Sequence, residues 1–91
     1  MSNGTVGADK VRLAIVGCGG IAGAHLAGYQ ALVQRGCTAF EIVATCDTNV
    51  GNAVDFAQKI EGFTGKRPTP YGDVAEMLSK EKIDGADICT P

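Results

Sequence analysis

The feature that most constrains this chain is a glycine cluster set between a short apolar run and a helical pattern. Val11-Arg12-Leu13-Ala14-Ile15-Val16 is nearly continuous in apolar residues and stops at Gly17. A short run of this kind suits a parallel strand covered on both faces by helices. The next residues are Gly17-Cys18-Gly19-Gly20-Ile21-Ala22, a G-x-G-x-x-A pattern. From about Ile21 to Arg35, the residues Ala22, Leu26, Tyr29 and Val33 recur on one helical stripe, and Gly36 offers a left-handed stop. Strand, glycine turn and amphipathic helix in this order are the context in which such a pattern holds a dinucleotide.

Each small residue then has a physical role. Gly17 permits the tight strand-to-helix turn, Gly19 lets the backbone approach a pyrophosphate with no Cβ in the way, and Ala22 lets the helix lie close to the strand. The helix N-terminus brings unpaired N–H groups and about half a unit of positive charge, so a pyrophosphate there needs no lysine. The Gly-Lys-Ser/Thr of a P-loop is absent. Gly17, Cys18, Gly19, Gly20, Ile21 and Ala22 are therefore expected to form the cofactor-binding loop, with Cys18 contributing its backbone rather than a reactive thiol. The bland alternative is a glycine-rich turn that binds nothing.

Asp47 is the second mark. It closes the run Phe40-Glu41-Ile42-Val43-Ala44-Thr45-Cys46, where an acidic side chain can accept hydrogen bonds from the adenosine ribose hydroxyls. A carboxylate there repels a 2′-phosphate, so the expected cofactor is NAD, with NADP disfavoured. Asp47 can also serve the dipole of the helix that follows, and the two roles are compatible. Thr48 is read as the cap of that helix and, with Asn49, as a neighbour of the adenosine pocket.

The helix is expected over about Asn49 to Ile60, with Ala53, Phe56, Ala57 and Ile60 on its apolar face. Gly62 to Pro70 reads as a loop whose prolines limit any strand near Tyr71 to a short edge piece. Asp73 and Glu76 form a capping-box pattern for a short helix expected to bury Val74, Met77 and Leu78. Ala86-Asp87-Ile88-Cys89 reads as a last strand closing at Thr90-Pro91. Strands alternating with helices imply an α/β fold, a Rossmann-like doubly wound parallel sheet. At about 30 residues per βαβ unit, 91 residues hold only its first, adenosine-binding half. Residues 1–10 are expected to be a flexible leader and 11–91 a partial dinucleotide-binding domain.

Composition narrows the partners. A net charge of −2 with scattered Lys and Arg gives no basic stripe for nucleic acid. No apolar stretch approaches the roughly 20 residues of a membrane helix, and Met1 to Asp9 contain no secretory apolar core. Cys18, Cys37, Cys46 and Cys89 form no Cys-x-x-Cys, so reduced thiols in a cytoplasmic protein are expected. His25 lies beside the apolar stripe, where a surface or core-facing role is the default reading rather than catalysis or metal binding.

With these residues in view, the chain resembles the Gfo/Idh/MocA family of oxidoreductases. The resemblance rests on Val11 to Ala22 (VRLAIVGCGGIA) with His25 beyond it, on Tyr71-Gly72-Asp73 followed by Met77-Leu78, and on Ile83 to Pro91 (IDGADICTP). It implies hydride transfer between NAD or NADP and a hydroxyl-bearing carbon of a sugar, a cyclitol such as inositol, or a similar small molecule. It also implies that Thr90 and Pro91 pass near the cofactor and that Asp47 meets the adenosine ribose. The family continues with a Glu-Lys-Pro segment carrying a catalytic lysine and with a C-terminal α/β domain. Neither lies in these 91 residues, so the resemblance implies no catalytic residue here and a chain inactive by itself. Two other readings stay open. One is a non-catalytic nucleotide-binding module that self-associates through the apolar edge Ala86 to Cys89, and the other is a methyltransferase-like domain with a similar glycine loop.

Overall fold

The computed structural model describes residues 10–19 and 22–89. The readings placed on residues 1–9, Gly20, Ile21, Thr90 and Pro91 lie outside the described residues. Among the described residues four strands and three helices alternate: β1 (Val11–Val16), α1 (Ala22–Gln34), β2 (Phe40–Cys46), α2 (Val50–Thr64), β3 (Thr69–Tyr71), α3 (Val74–Lys80) and β4 (Gly85–Ile88). All neighbouring strands are parallel, in the order β3-β2-β1-β4. The chain moves outward from β1 through β2 to the edge strand β3, then α3 carries it back to the far side of β1. The strand order reverses between β1 and β4, and this is where open α/β sheets place their ligand crevice.

The apolar content of β1 and β2 is explained by burial on both faces. On one face Ile15, Ile42 and Cys89 meet Ala22 of α1 and Phe56 and Ile60 of α2, with Leu26, Tyr29 and Phe40 against them. On the other, Ala14, Ala44, Cys46 and Tyr71 meet Met77 of α3. Val43 interrupts the regular register, because Leu13 pairs with Ile42 while the next residue, Ala14, pairs with Ala44. Thr45 is fully buried, and its hydroxyl donates to the Ala53 carbonyl at 2.8 Å, so this buried polar side chain is satisfied.

The ends of the elements depart from the sequence reading in three places. Asn49, not Thr48, caps α2, its side chain accepting from the Gly51 N–H at 3.1 Å. The helix runs past Gly62 to Thr64 because the left-handed stop is at Gly65, where φ is +82°. On α3 Met77 is buried as expected, but Val74 and Leu78 are 40% and 57% exposed. This seven-residue helix packs mainly on β2 and β3 through Met77, which is too small a footprint to cover three apolar side chains. Asp73 does cap it, accepting from the Glu76 N–H at 3.2 Å. The Glu76 carboxylate turns instead to Lys80, 3.0 Å away.

Candidate functional site

The glycine loop leaves the carboxyl end of β1 in a turn only glycine adopts readily, since Gly17 has φ of +86°. Its N–H donates to the Cys46 carbonyl at 2.8 Å, which ties the start of the loop to the end of β2. The Ala22 N–H then closes the loop onto the Gly19 carbonyl at 3.1 Å. Ala22 is completely buried against the core, as the close approach of helix and strand requires. Gly19 behaves differently. It is exposed, and a Cβ built on it would meet nothing within 4 Å. No group among the described residues demands a glycine there, so the open space is what fits a ligand brought against the backbone.

Asp47 stands at the carboxyl end of β2, its own N–H held by the Tyr71 carbonyl at 3.0 Å. One carboxylate oxygen accepts from the Asn49 N–H and the other from the Cys18 N–H, each at 2.8 Å. These two backbone donors, Asn49 first and Cys18 second, hold its carboxyl below the usual value against a smaller opposing effect of burial. Asp47 is therefore an anion that braces the glycine loop from the neighbouring strand. Each carboxylate oxygen has a further lone pair, so the brace leaves room for ribose hydroxyls. The sequence reading located Asp47 but missed the bond to Cys18, because no local pattern reports a contact across 29 residues. Thr48 is exposed on the same loop.

The Cys18 side chain is a buried structural thiol. Its sulfur lies 3.5 Å from the Cys46 carbonyl, and burial pushes its pKa up to about 11 despite that hydrogen bond. All four cysteines are free thiols. His25 is tied to β4: its Nδ1 donates to Asp87 Oδ2 at 2.7 Å, and the Tyr29 hydroxyl donates to the same oxygen at 2.8 Å. Burial raises the Asp87 carboxyl, but the bonds from His25 and Tyr29 and the charge of His25 more than reverse this, leaving it below its usual value. The four-residue spacing of His25 and Tyr29 was the available signal that both face one partner. A separate cavity of about 180 Å³, lined by Lys10, Val33, Phe40, Ile42, Thr64 and Lys66, lies at the amino end of β2. That is the end of the sheet opposite the glycine loop.

A parallel sheet with a glycine turn at its switch point and an acidic residue closing the adjacent strand defines a dinucleotide-binding α/β protein. More particularly, the chain belongs to the Gfo/Idh/MocA oxidoreductase family, whose NAD-binding Rossmann-fold model matches residues 11–91. It is similar to the WlbA dehydrogenase from Bordetella pertussis, solved in complex with NADH and UDP-GlcNAcA, with 34% identity and a TM-score of 0.59. That match covers 90% of this chain and 22% of the other. The WlbA enzyme from Chromobacterium violaceum, in complex with the same two molecules, is 28% identical with a TM-score of 0.61, over 90% of this chain and 21% of its own. A myo-inositol dehydrogenase from Corynebacterium glutamicum shares the fold, with 23% identity and a TM-score of 0.65 over 91% of this chain and 22% of its own. The chain thus spans about a fifth of the length of these structures. No significant relative is found among curated proteins. Among the described residues no helix is long and apolar enough to cross a membrane.

Proposed function

We propose that this chain binds NAD(H) in preference to NADP(H), as the cofactor-holding part of an oxidoreductase acting on a hydroxyl-bearing carbon of a sugar, a nucleotide sugar or a cyclitol. The observation that carries the reading is the brace from Asp47 to the Cys18 N–H, which joins the two halves of an adenosine-diphosphate site. The loop and the N-terminus of α1 receive the pyrophosphate, and the Asp47 carboxylate receives the ribose hydroxyls. Its negative charge makes a 2′-phosphate unfavourable. The substrate class is supported by the family and by the UDP-sugar in the WlbA complex. NAD supplies hydride acceptance when bound. The residues assigned here bind and orient its adenosine end, with Thr90 and Pro91 proposed as further contacts. Calorimetric titration of the chain with NAD, NADP and AMP tests the reading. Saturable binding of NAD and AMP with NADP weaker is expected, and equal affinity for NADP refutes the specificity. A second reading, self-pairing through β4, rests on Ile88, which is 59% exposed beside the edge of the sheet. A monomer at high concentration in sedimentation would remove it.

A further inference from the structure

The seam between α1 and β4 brings together three side chains that the dinucleotide reading does not use. Asp87 and Cys89 lie two residues apart and face α1, as the alternation of a strand requires. One nitrogen of His25, one carboxylate oxygen of Asp87 and the sulfur of Cys89 all lie within 4.8 Å of one another. The backbone beneath them is rigid: Asp87 pairs with Ile15 in the sheet, and the Cys89 N–H donates to the Val16 carbonyl at 2.7 Å. Exposure grades outward from a buried Cys89 through a half-buried Asp87 to an exposed His25, which leaves a way in from solvent.

The geometry points to a transition-metal site at this seam, with His25, Asp87 and Cys89 as its three protein ligands. A mixed nitrogen, oxygen and sulfur set excludes magnesium and calcium, which take oxygen ligands, and suits zinc or cobalt. Bond lengths of about 2.0–2.3 Å to such an ion require each pair of ligand atoms to sit somewhat over 3 Å apart. The 2.7 Å contact between His25 and Asp87 therefore opens slightly and the sulfur moves inward, both within reach of side-chain rotation. Asp87 has a second carboxylate oxygen, so Tyr29 can keep its bond to Oδ2 while Oδ1 turns to the metal. On binding, the Cys89 thiol forms the sulfur–metal bond and its proton passes to solvent, while His25 gives up the Nδ1 proton to solvent and keeps its ring neutral as the Nε2–H tautomer, freeing the Nδ1 lone pair for the metal. Three protein ligands leave the fourth tetrahedral position to water.

The probe is Co²⁺, added to the full reduced chain after metal stripping. The expected result is a thiolate-to-cobalt charge-transfer band with the visible bands of a tetrahedral ion, both displaced by Zn²⁺. Cys89→Ser abolishes the charge-transfer band, whereas Cys37→Ser leaves it intact. His25→Gln, at an exposed position that folding tolerates, weakens Co²⁺ binding by at least about tenfold. Absence of the band in the parent chain, its persistence in Cys89→Ser, or unchanged affinity in His25→Gln each overturns the assignment. None of these readouts depends on whether the chain binds NAD.

Discussion

Replacing Asp47 by alanine tests the brace and the cofactor preference together. The substitution removes two charge-assisted acceptors, one for Cys18 and one for Asn49, both at 2.8 Å. Water can reach the half-buried site, so each lost bond costs about 0.5–1.5 kcal/mol rather than the larger value of an orphaned buried group. The sum is about 2 kcal/mol, which in a domain of this size lowers Tm by roughly 8–16 °C. Binding changes by a separate route. A hydrogen bond to a charged acceptor is worth about 1.5–3 kcal/mol, so the Kd for NAD rises about ten- to a hundredfold. NADP loses less, because the repulsion of its 2′-phosphate disappears as well, and the NAD-to-NADP preference collapses. Thermal unfolding followed by circular dichroism gives the first quantity, and calorimetry well below Tm gives the second. An unchanged Tm would show that the brace contributes nothing to the fold. A lower Tm with an unchanged ratio of NAD to NADP affinity would show that Asp47 supports the loop without touching the ribose.

The two loop glycines separate fold from function: Gly17→Ala forces a Cβ into a φ of +86° and costs about 1–2 kcal/mol of stability. Gly19→Ala places a Cβ with no atom of the described residues within 4 Å, so Tm is expected to hold while NAD binding weakens, and a large loss of Tm in Gly19→Ala would contradict the open cradle. The carboxyls of Asp47 and Asp87 both lie below their ordinary value of 3.8 in the folded chain. Their contribution is therefore present at neutral pH and is lost as pH falls below about 4, and Asp87→Asn should flatten part of that acid limb in urea titrations. Burial pushes the Cys18 and Cys89 thiols up to about 11, so iodoacetamide at pH 8 should label both slowly in the native chain and rapidly in urea. Mass mapping of the labelled peptides reads this directly, and fast native labelling of Cys18 would mean that the loop opens.

Much of the architecture was legible because its causes are local. A double-sided strand must be apolar throughout, so β1 and β2 stand out as runs, and a left-handed helix stop needs glycine, so Gly36 carries its own signal, whereas the stop of α2 lies at Gly65, beyond the helix end near Ile60 that the sequence suggested. The prolines at 68 and 70 confined β3 to three residues, for want of backbone donors. The failures were also local in form and tertiary in cause. Val74 and Leu78 follow a helical apolar pattern, yet whether they are covered depends on how far α3 reaches across the sheet, and its main packing is on β2 and β3 through Met77. Thr48 and Asn49 are both competent caps, and the choice between them follows from Asp47 accepting the Asn49 N–H.

The sequence by itself determined the kind of site: a glycine turn at a helix N-terminus, backed by an acidic residue at the end of the next strand. These depend on backbone sterics and on which side chains carry charge, and a short window around each of the two features contains that information. Only the tertiary structure decided which strand lies beside which, that Asp47 grips the Cys18 N–H, and that His25, Tyr29, Asp87 and Cys89 share one seam. Asp87 and His25 are 62 residues apart in the chain. No local preference brings them together; the return of α3 across the sheet, which places β4 against β1 and beneath α1, does so.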